Sequence, residues 1–548
     1  CTKKYVQKLL VALNNKITTT PLICPILAQI IGNKELAFSL WTNSLRYSNY
    51  IGDVNLYAMA QKQSLILLES VKVDKLEYTK NNICERLGKL IYLKNPQEAK
   101  DYLTNVIVSL QKDDENMDED EIKYRINKII DISGYLIKST YLTQDYTGCI
   151  EIVDNVLKYF NLKDAQDKKY VHELKVTMIK TRKLEALLQL GSWEELASLV
   201  NSEINPVLQK NLNIFSKHKW ISQNEIYYAW IEANIILAQS YSQQGSPLAL
   251  ELISEIDKVL SKEKGSRAEY LKIRLAYANA MANTSKGKLD ESDIILQEIV
   301  TDYSYVIDTP SMVCEWNIIS LINKILRYDF ETIKNELFEA TAYANNSGDE
   351  VAKNLLKTLL AYVLLEEKSY LKAIEIATAQ MQYFSSKKIA FGALLSWYIS
   401  AAATAYNKAD LYCIEICEKA VKICENAQNN NSYFKILFQE LLSKAYLKLN
   451  DKENAKMYCD LALNCANENE LLYLQVRLNW LKTTIARENL SIQPDNKKFE
   501  YAQNIIKMYN KTIESAQRLN LGNIIKKIEK ELTSFRAHCQ LNRIIEDK

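Results

Sequence analysis

The sequence predicts an all-α protein built as a solenoid of stacked helix-turn-helix hairpins. Three observations predict it. Glycine and proline are scarce, 12 and 7 among 548 residues, where average usage would give roughly 65 of the two together. Sheet-rich folds need those residues at many tight turns, so a chain this poor in them is mostly helix with short connections. Second, a residue suited to close helix packing recurs at Ala238, Ala280, Leu321, Ala361, Ala401, Ser443 and Thr484, in steps of 42, 41, 40, 40, 42 and 41. Third, five of the seven prolines follow a capping residue, in Thr20-Pro21, Asn95-Pro96, Asn205-Pro206, Ser246-Pro247 and Thr309-Pro310. The first helical position tolerates proline, because its missing N–H costs nothing there, and Ser, Thr or Asn just before it can cap.

The elements follow in order. An apolar helical pattern (Tyr5, Val6, Leu9, Leu10, Leu13) starts at once after Cys1. A first residue other than Met is expected of a fragment of a longer protein; a lipid-anchored cysteine is the lesser alternative, since such anchors continue into a polar tether. Helical hairpins are marked by Leu87, Gly88, Ile91 and Ala99, by Tyr141, Tyr146, Cys149 and Val153, and by Leu187, Gly191, Trp193 and Leu196. Their wider and uneven steps require insertions. The acidic run Asp113–Glu121 is one, expected as a solvated loop. In Asn95-Pro96-Gln97-Glu98 the glutamate stands where a capping box needs it. The regular repeats then occupy 221–490, after an irregular helical stretch over 1–220. Turns are expected at Asn283–Lys288, Asn345–Asp349 and Asn429–Ser432, and a longer break at Ser491–Lys498. Residues 491–548 supply capping helices, the last one charged (Lys526, Lys527, Glu529, Lys530, Glu531), as the exposed end of a solenoid requires. The uncharged stretch Ile389–Asn407 is long enough to span a bilayer. Its Ser396, Ser400, Thr404 and run of alanines, with Trp397 and Ala401 in the repeat register, make it a buried solenoid helix instead.

Leu442, Ser443, Tyr446, Ala455, Cys459 and Ala462 follow the tetratricopeptide pattern of a large residue, a small one, an aromatic, and a second helix opened by small residues. Leu360, Ala361, Leu364, Tyr370, Ala373 and Ala377 repeat it, as do Trp397, Ala401, Cys413, Cys417 and Ala420, and in its first helix Leu237, Ala238, Tyr241 and Gly245. The chain thus resembles tetratricopeptide-repeat (TPR) proteins, loosely over its length and with clear cadence over about 225–490. The period near 40 is similar to that of the superhelical sensor arrays in large signalling ATPases and ATP-dependent transcriptional activators. The resemblance implies about 12 or 13 hairpins in a right-handed superhelix whose first helices line an inner groove. In that register the groove is lined by Leu355, Thr358, Tyr362, Leu365, Leu395, Tyr398, Ala402, Tyr406, Leu437, Lys444 and Lys448. Tyr362, Tyr398, Tyr406, Lys444 and Lys448 are the candidates for contact with a partner, and several of the others are expected to pack on the neighbouring repeat. The Lys and Asn clamp by which some TPR proteins hold chaperone tails is not reproduced here.

The remaining chemistry is sparse. With 69 basic and 67 acidic residues the net charge is +2, so no global field draws nucleic acid or an anionic membrane. Eleven cysteines without CxxC pairs suggest reduced thiols and an intracellular, cytoplasmic setting. Cys413, Cys417 and Cys424 share a helix face, with Cys459 and Cys465 one repeat later, but Cys149, Cys413, Cys417 and Cys459 fall at small-residue packing positions, which argues for core and against a metal or redox site. Only His172, His218 and His538 are present, and none forms HExxH. No GxxxxGK[ST], GxGxxG or GxSxG occurs. No cofactor, metal or catalytic residue is assigned. The expected function is a non-catalytic protein–protein interaction scaffold, or the regulatory repeat segment of a multidomain signalling ATPase or kinase, with a protein or peptide ligand. A small-ligand sensor with a Tyr-lined pocket is the alternative, and an all-α toroidal enzyme the remote one.

Overall fold

A computed structural model describes residues 2–13, 21–51, 53–72, 75–112, 118–164, 173–213, 222–303, 309–330, 333–407, 410–426, 430–541 and 544. Every regular element among them is helical. The chain forms two compact units, Cys1–Ala186 and Leu187–Lys548.

In the first unit α1 (Thr2–Leu13), α2 (Ile23–Ile30), α3 (Lys34–Ile51), α4 (Val54–Leu68), α5 (Leu76–Ile91), α6 (Pro96–Gln111), α7 (Glu119–Leu142), α8 (Tyr146–Asp164) and α9 (Glu173–Lys180) pack in sequence order, each against the next. The boundary falls within α10 (Leu184–Leu190). Pro96 opens α6 as expected, and the Asn95 side chain accepts from the Glu98 N–H. The end of the acidic run is not loop. Asp118 caps α7 and Glu119, Asp120 and Glu121 form its first turn, where negative charge meets the positive end of the helix; residues 113–117 lie outside the described residues.

In the second unit the end of α10 is followed by α11 (Trp193–Ser198), a π-helical stretch over Leu199–Ile204 and α12 (Asn205–Asn213), the last three running on without a break. Here the proline rule fails: Pro206 lies inside the rod instead of starting it. An interior proline cannot bond back and its ring crowds the carbonyl four residues earlier, so the wider π turn upstream gives it room.

The regular hairpins follow: α13 (Gln223–Gln244) with α14 (Leu248–Leu260), α15 (Ser266–Lys286) with α16 (Leu289–Asp302), α17 (Pro310–Leu326) with α18 (Ile333–Ser347), α19 (Glu350–Glu366) with α20 (Tyr370–Ser386), α21 (Ala390–Tyr406) with α22 (Asp410–Cys424), and α23 (Ser432–Lys448) with α24 (Lys452–Glu468). Then come α25 (Leu472–Glu488), α26 (Asp495–Arg518) and α27 (Gly522–Leu541). Odd-numbered helices from α13 to α25 pack on one another as an inner row, and each even-numbered helix is wedged between two of them. This is a TPR-like helical-repeat solenoid. The packing markers Ala238, Ala280, Leu321, Ala361, Ala401 and Ser443 are all buried. The last marker is off by one: Thr483 is fully buried and stands at the twelfth position of its helix, as Ser443 does, while Thr484 faces a cavity. The turn expected from Asn283 is also shorter, because α15 continues to Lys286 before Gly287 ends it at φ 84. The break at Ser491 is a 3₁₀ turn over Leu490–Ile492, after which α26 starts at Asp495. Helix α21 packs within the solenoid, and no helix among the described residues is long and apolar enough to cross a membrane.

The superhelix of the second unit returns onto itself. Asn431 Nδ2 donates to the Gln243 carbonyl at 3.1 Å across 188 residues, and Lys286 Nζ donates to the Asn469 carbonyl across 183. Asn520 Nδ2 reaches Asp290 Oδ2 at 2.6 Å, and Asn523 Nδ2 donates to the carbonyls of Arg327 and Tyr328 at 3.2 Å. Glycine permits the closest approach: a Cβ on Gly287 would lie 2.8 Å from the Tyr473 backbone nitrogen. Simple solenoids touch only their nearest repeats. This one touches the turn above, so its inner face encloses space.

Candidate functional site

The enclosed space is a cavity of about 350 Å³, and all five candidate residues line it. Tyr362 comes from α19, Tyr398 and Tyr406 from α21, Lys444 and Lys448 from α23. The sequence register placed them on one face, and the curvature of the row brings them round a common volume. The inner groove is deep and partly open: Tyr398 is only 6% exposed, while Tyr406 at 41% marks the open side. Among the other inner-face residues, Thr358 bonds Ser396 between hydroxyls at 3.1 Å, Leu437 is buried, and Leu395 packs on the neighbouring core; these serve packing.

At the buried end stands a charged triad. Glu440 is 1% exposed. Its Oε1 accepts from Lys444 Nζ at 2.7 Å and from Arg477 Nη2 at 3.0 Å. Arg477 Nη2 also lies 2.9 Å from Oε2, but that oxygen receives no aligned N–H. The same Nη2 lies 3.3 Å from the Tyr398 hydroxyl, and the guanidinium sits 5.7 Å from the centre of the Tyr473 ring. Burial disfavours the Glu440 charge, yet Arg477 and Lys444 outweigh it and hold the carboxyl below its usual range. Burial likewise opposes the Lys444 charge, and Glu440 more than restores it, so the ammonium titrates above its ordinary value. Lys444 keeps 32% of its side chain accessible and lines the cavity.

Towards the open side Lys448 Nζ donates to the Ala405 carbonyl at 2.9 Å and sits 4.9 Å from the centre of the Tyr406 ring, which stacks on Tyr370. Tyr328, Glu366, Trp480 and Glu531 complete the polar and aromatic lining. Glu531 comes from α27, where it accepts from Trp480 Nε1 at 3.0 Å, so the terminal helix closes one side. Burial pushes the hydroxyls of Tyr362, Tyr398 and Tyr473 up and keeps them protonated. The triad thus presents fixed charges, and the tyrosines fixed hydroxyl donors, around the cavity.

Sequence reasoning missed Glu440 and Arg477. Glu440 occupies the register position of Thr358 and Tyr398, three before the marker, and that signal could have found it. Arg477 lies on α25, where the register was one residue out. Cys149, Cys413, Cys417, Cys424 and Cys459 are buried as expected of core, with the Sγ atoms of Cys413 and Cys417 3.8 Å apart, while Cys465 is only partly buried. His172 and His218 lie outside the described residues, and His538 is on α27.

No protein-family model and no curated protein matches the chain. Among solved structures it is similar to the Rap protein complexed with competence and sporulation factor, at 12% identity and a TM-score of 0.41 over 63% of this chain and 98% of that one. It is similar to the APC/C hetero-tetramer Cut9–Hcn1 at 13% identity and 0.41, over 99% and 92%. It is similar to yeast Tom70 at 11% identity and 0.27, over 87% and 96%.

Proposed function

We propose that this chain is a non-catalytic recognition scaffold whose cavity in the second unit receives a carboxylate-bearing end of a protein or peptide. One observation carries the reading: Lys444, Lys448 and the tyrosines predicted to face inward converge on a single cavity that ends in a buried ionic triad. Lys444 offers N–H donors beyond the one given to Glu440, and Lys448 stands at the exposed side. Tyr406 and Tyr398 supply flat, amphipathic walls. A volume near the lower end of the ligand-site range, about 300–1,000 Å³, admits a chain end and not a long extended segment. The regulatory role in a larger signalling protein, and a cytoplasmic setting, belong to the same proposal and rest on the period and the cysteine usage.

An array of immobilised peptides, each with a free or an amidated C-terminus, tests it. Free carboxylates are expected to retain the full chain, and Lys448→Ala and Tyr406→Ala, both at exposed positions, to weaken retention about tenfold or more. Equal retention by both variants, or by amidated peptides, would remove the cavity from the recognition surface.

A further inference from the structure

Three inner helices end in a row. Glu366, Tyr406 and Lys448 are the last residues of α19, α21 and α23, each five residues past its packing marker, and all three line the cavity. The row reads acid, aromatic, base. The base is accounted for, since Lys448 contacts the Ala405 carbonyl and the Tyr406 ring and lies 3.4 Å from Asp410. The acid is not. Glu366 is half-buried, and among the described residues no hydrogen bond or ion pair reaches its carboxylate. Lys527 on α27 feels its charge but places its ammonium on the Tyr328 ring, 3.7 Å from the centroid. A carboxylate at the C-terminus of a helix meets the negative end of the dipole, and half-burial adds a desolvation cost. Tyr362, whose ring carries no cation among the described residues, lines the cavity with it, and an aromatic ring beside a carboxylate is what an ammonium group is drawn to.

We infer that the cavity takes a small zwitterion, a di- or tripeptide, with its ammonium at Glu366 and its carboxylate at Lys444 and Lys448. This rests on the reading of the cavity as a recognition site and adds its second pole. Helix α21 separates α19 from α23, and packed axes lie about 8–10 Å apart. The two poles therefore lie on helices that are not neighbours, which calls for a ligand longer than a single amino acid, such as a di- or tripeptide of about 7–10 Å when extended. Ala402, at the middle of the row, leaves room above the helix, and Leu365, Leu441 and Leu481 offer apolar contact for a side chain. Reading both poles selects unblocked, short molecules and rejects internal segments of a protein.

The full chain is screened by thermal shift against a set of di- and tripeptides at millimolar concentration, with free amino acids, too short to meet both poles, as the comparison. The tightest is then compared by calorimetry in free, N-acetylated and C-amidated form. The expected result is that acetylation weakens binding about tenfold in the wild type and leaves Glu366→Gln nearly indifferent, while amidation does the same with respect to Lys448→Ala. Glu366→Gln is also expected to melt at or above the wild-type temperature without ligand, which separates lost recognition from lost folding. If the acetylated form binds as tightly as the free one, the ammonium pole at Glu366 is wrong and the carboxylate reading stands. If no zwitterion shifts the melting temperature, the inference is overturned, and the peptide array decides the scaffold reading separately.

Discussion

At the scale of single residues, the scarcity of glycine has a visible consequence. Several helix ends turn through the left-handed region on residues that resist it: Tyr328, Lys368, Lys388 and Glu470 all have positive φ, as do the more tolerant Asn450 and Asn520. For an L-residue other than Gly or Asn that conformation costs about 1–2 kcal/mol. Lys368 at φ 65 follows α19 and bonds through its N–H to the Leu365 carbonyl at 3.0 Å. Lys368→Gly is therefore expected to raise stability by about 1 kcal/mol, the relieved strain exceeding the added freedom of the unfolded chain. Urea denaturation would show it as a higher midpoint at constant slope. The triad gives the opposite case. Glu440→Gln leaves the Arg477 guanidinium buried beside a neutral amide and is expected to cost about 3–5 kcal/mol. Its pH dependence has a definite sign. The folded-state value of Glu440 lies below its unfolded value of 4.5, so its contribution is complete above 4.5 and fades as the pH falls through the folded value. Wild type and Glu440→Gln should converge in stability in acid; a constant gap from neutrality to acid would show that the carboxylate charge is not what matters.

At the scale of elements, the cadence was legible because close helix crossings demand small side chains at fixed intervals. Ala361, Ala401 and Ser443 are fully buried for that reason, each where its helix passes its neighbours. Ala401→Leu would force four-carbon bulk into such a crossing and is expected to destabilise by about 1–3 kcal/mol, with most of the loss in unfolding rate or in partial opening of α21. The inner-face candidates were legible from the same register. What the register could not give was curvature. A period fixes which residues face inward, and only the crossing angles fix how soon the row returns on itself. The register held Glu440, and held Arg477 once the α25 marker moves to Thr483, but that the two meet as an ion pair across α23 and α25 only the crossing angles decide. Pro206 was misjudged for a local reason: Asn-Pro has the signature of a helix start, and nothing in that dipeptide announces a π turn upstream that lets the helix continue through it.

At the scale of the second unit, the seam between superhelical turns decides whether the inner face is a groove or a cavity. Two of its contacts flank the same junction between α15 and α25. Gly287 has φ 84, and a Cβ there would meet Tyr473 Cβ at 2.6 Å. Gly287→Ala is accordingly expected to part the turns and to cost about 1–3 kcal/mol, from strain and overpacking together. Hydrogen exchange should then quicken at the start of α25, ahead of Arg477, while α19 to α22 keep their protection. Beside it Lys286 is almost wholly buried, its ammonium on the Asn469 carbonyl with Glu470 4.0 Å away. Burial lowers its pKa below the ordinary 10.5, and the field of Glu470 only partly opposes this. Between that lowered value and 10.5 the unfolded chain holds more protons than the folded one, so this lysine makes stability rise with pH across that window. Lys286→Met fills a similar volume without the charge and should abolish that increment. The difference in urea midpoint between wild type and variant is therefore expected to shift in favour of the wild type on going from neutral to alkaline pH. A difference that stays flat would mean that the ammonium is solvated in the folded state and the seam is looser than its geometry implies.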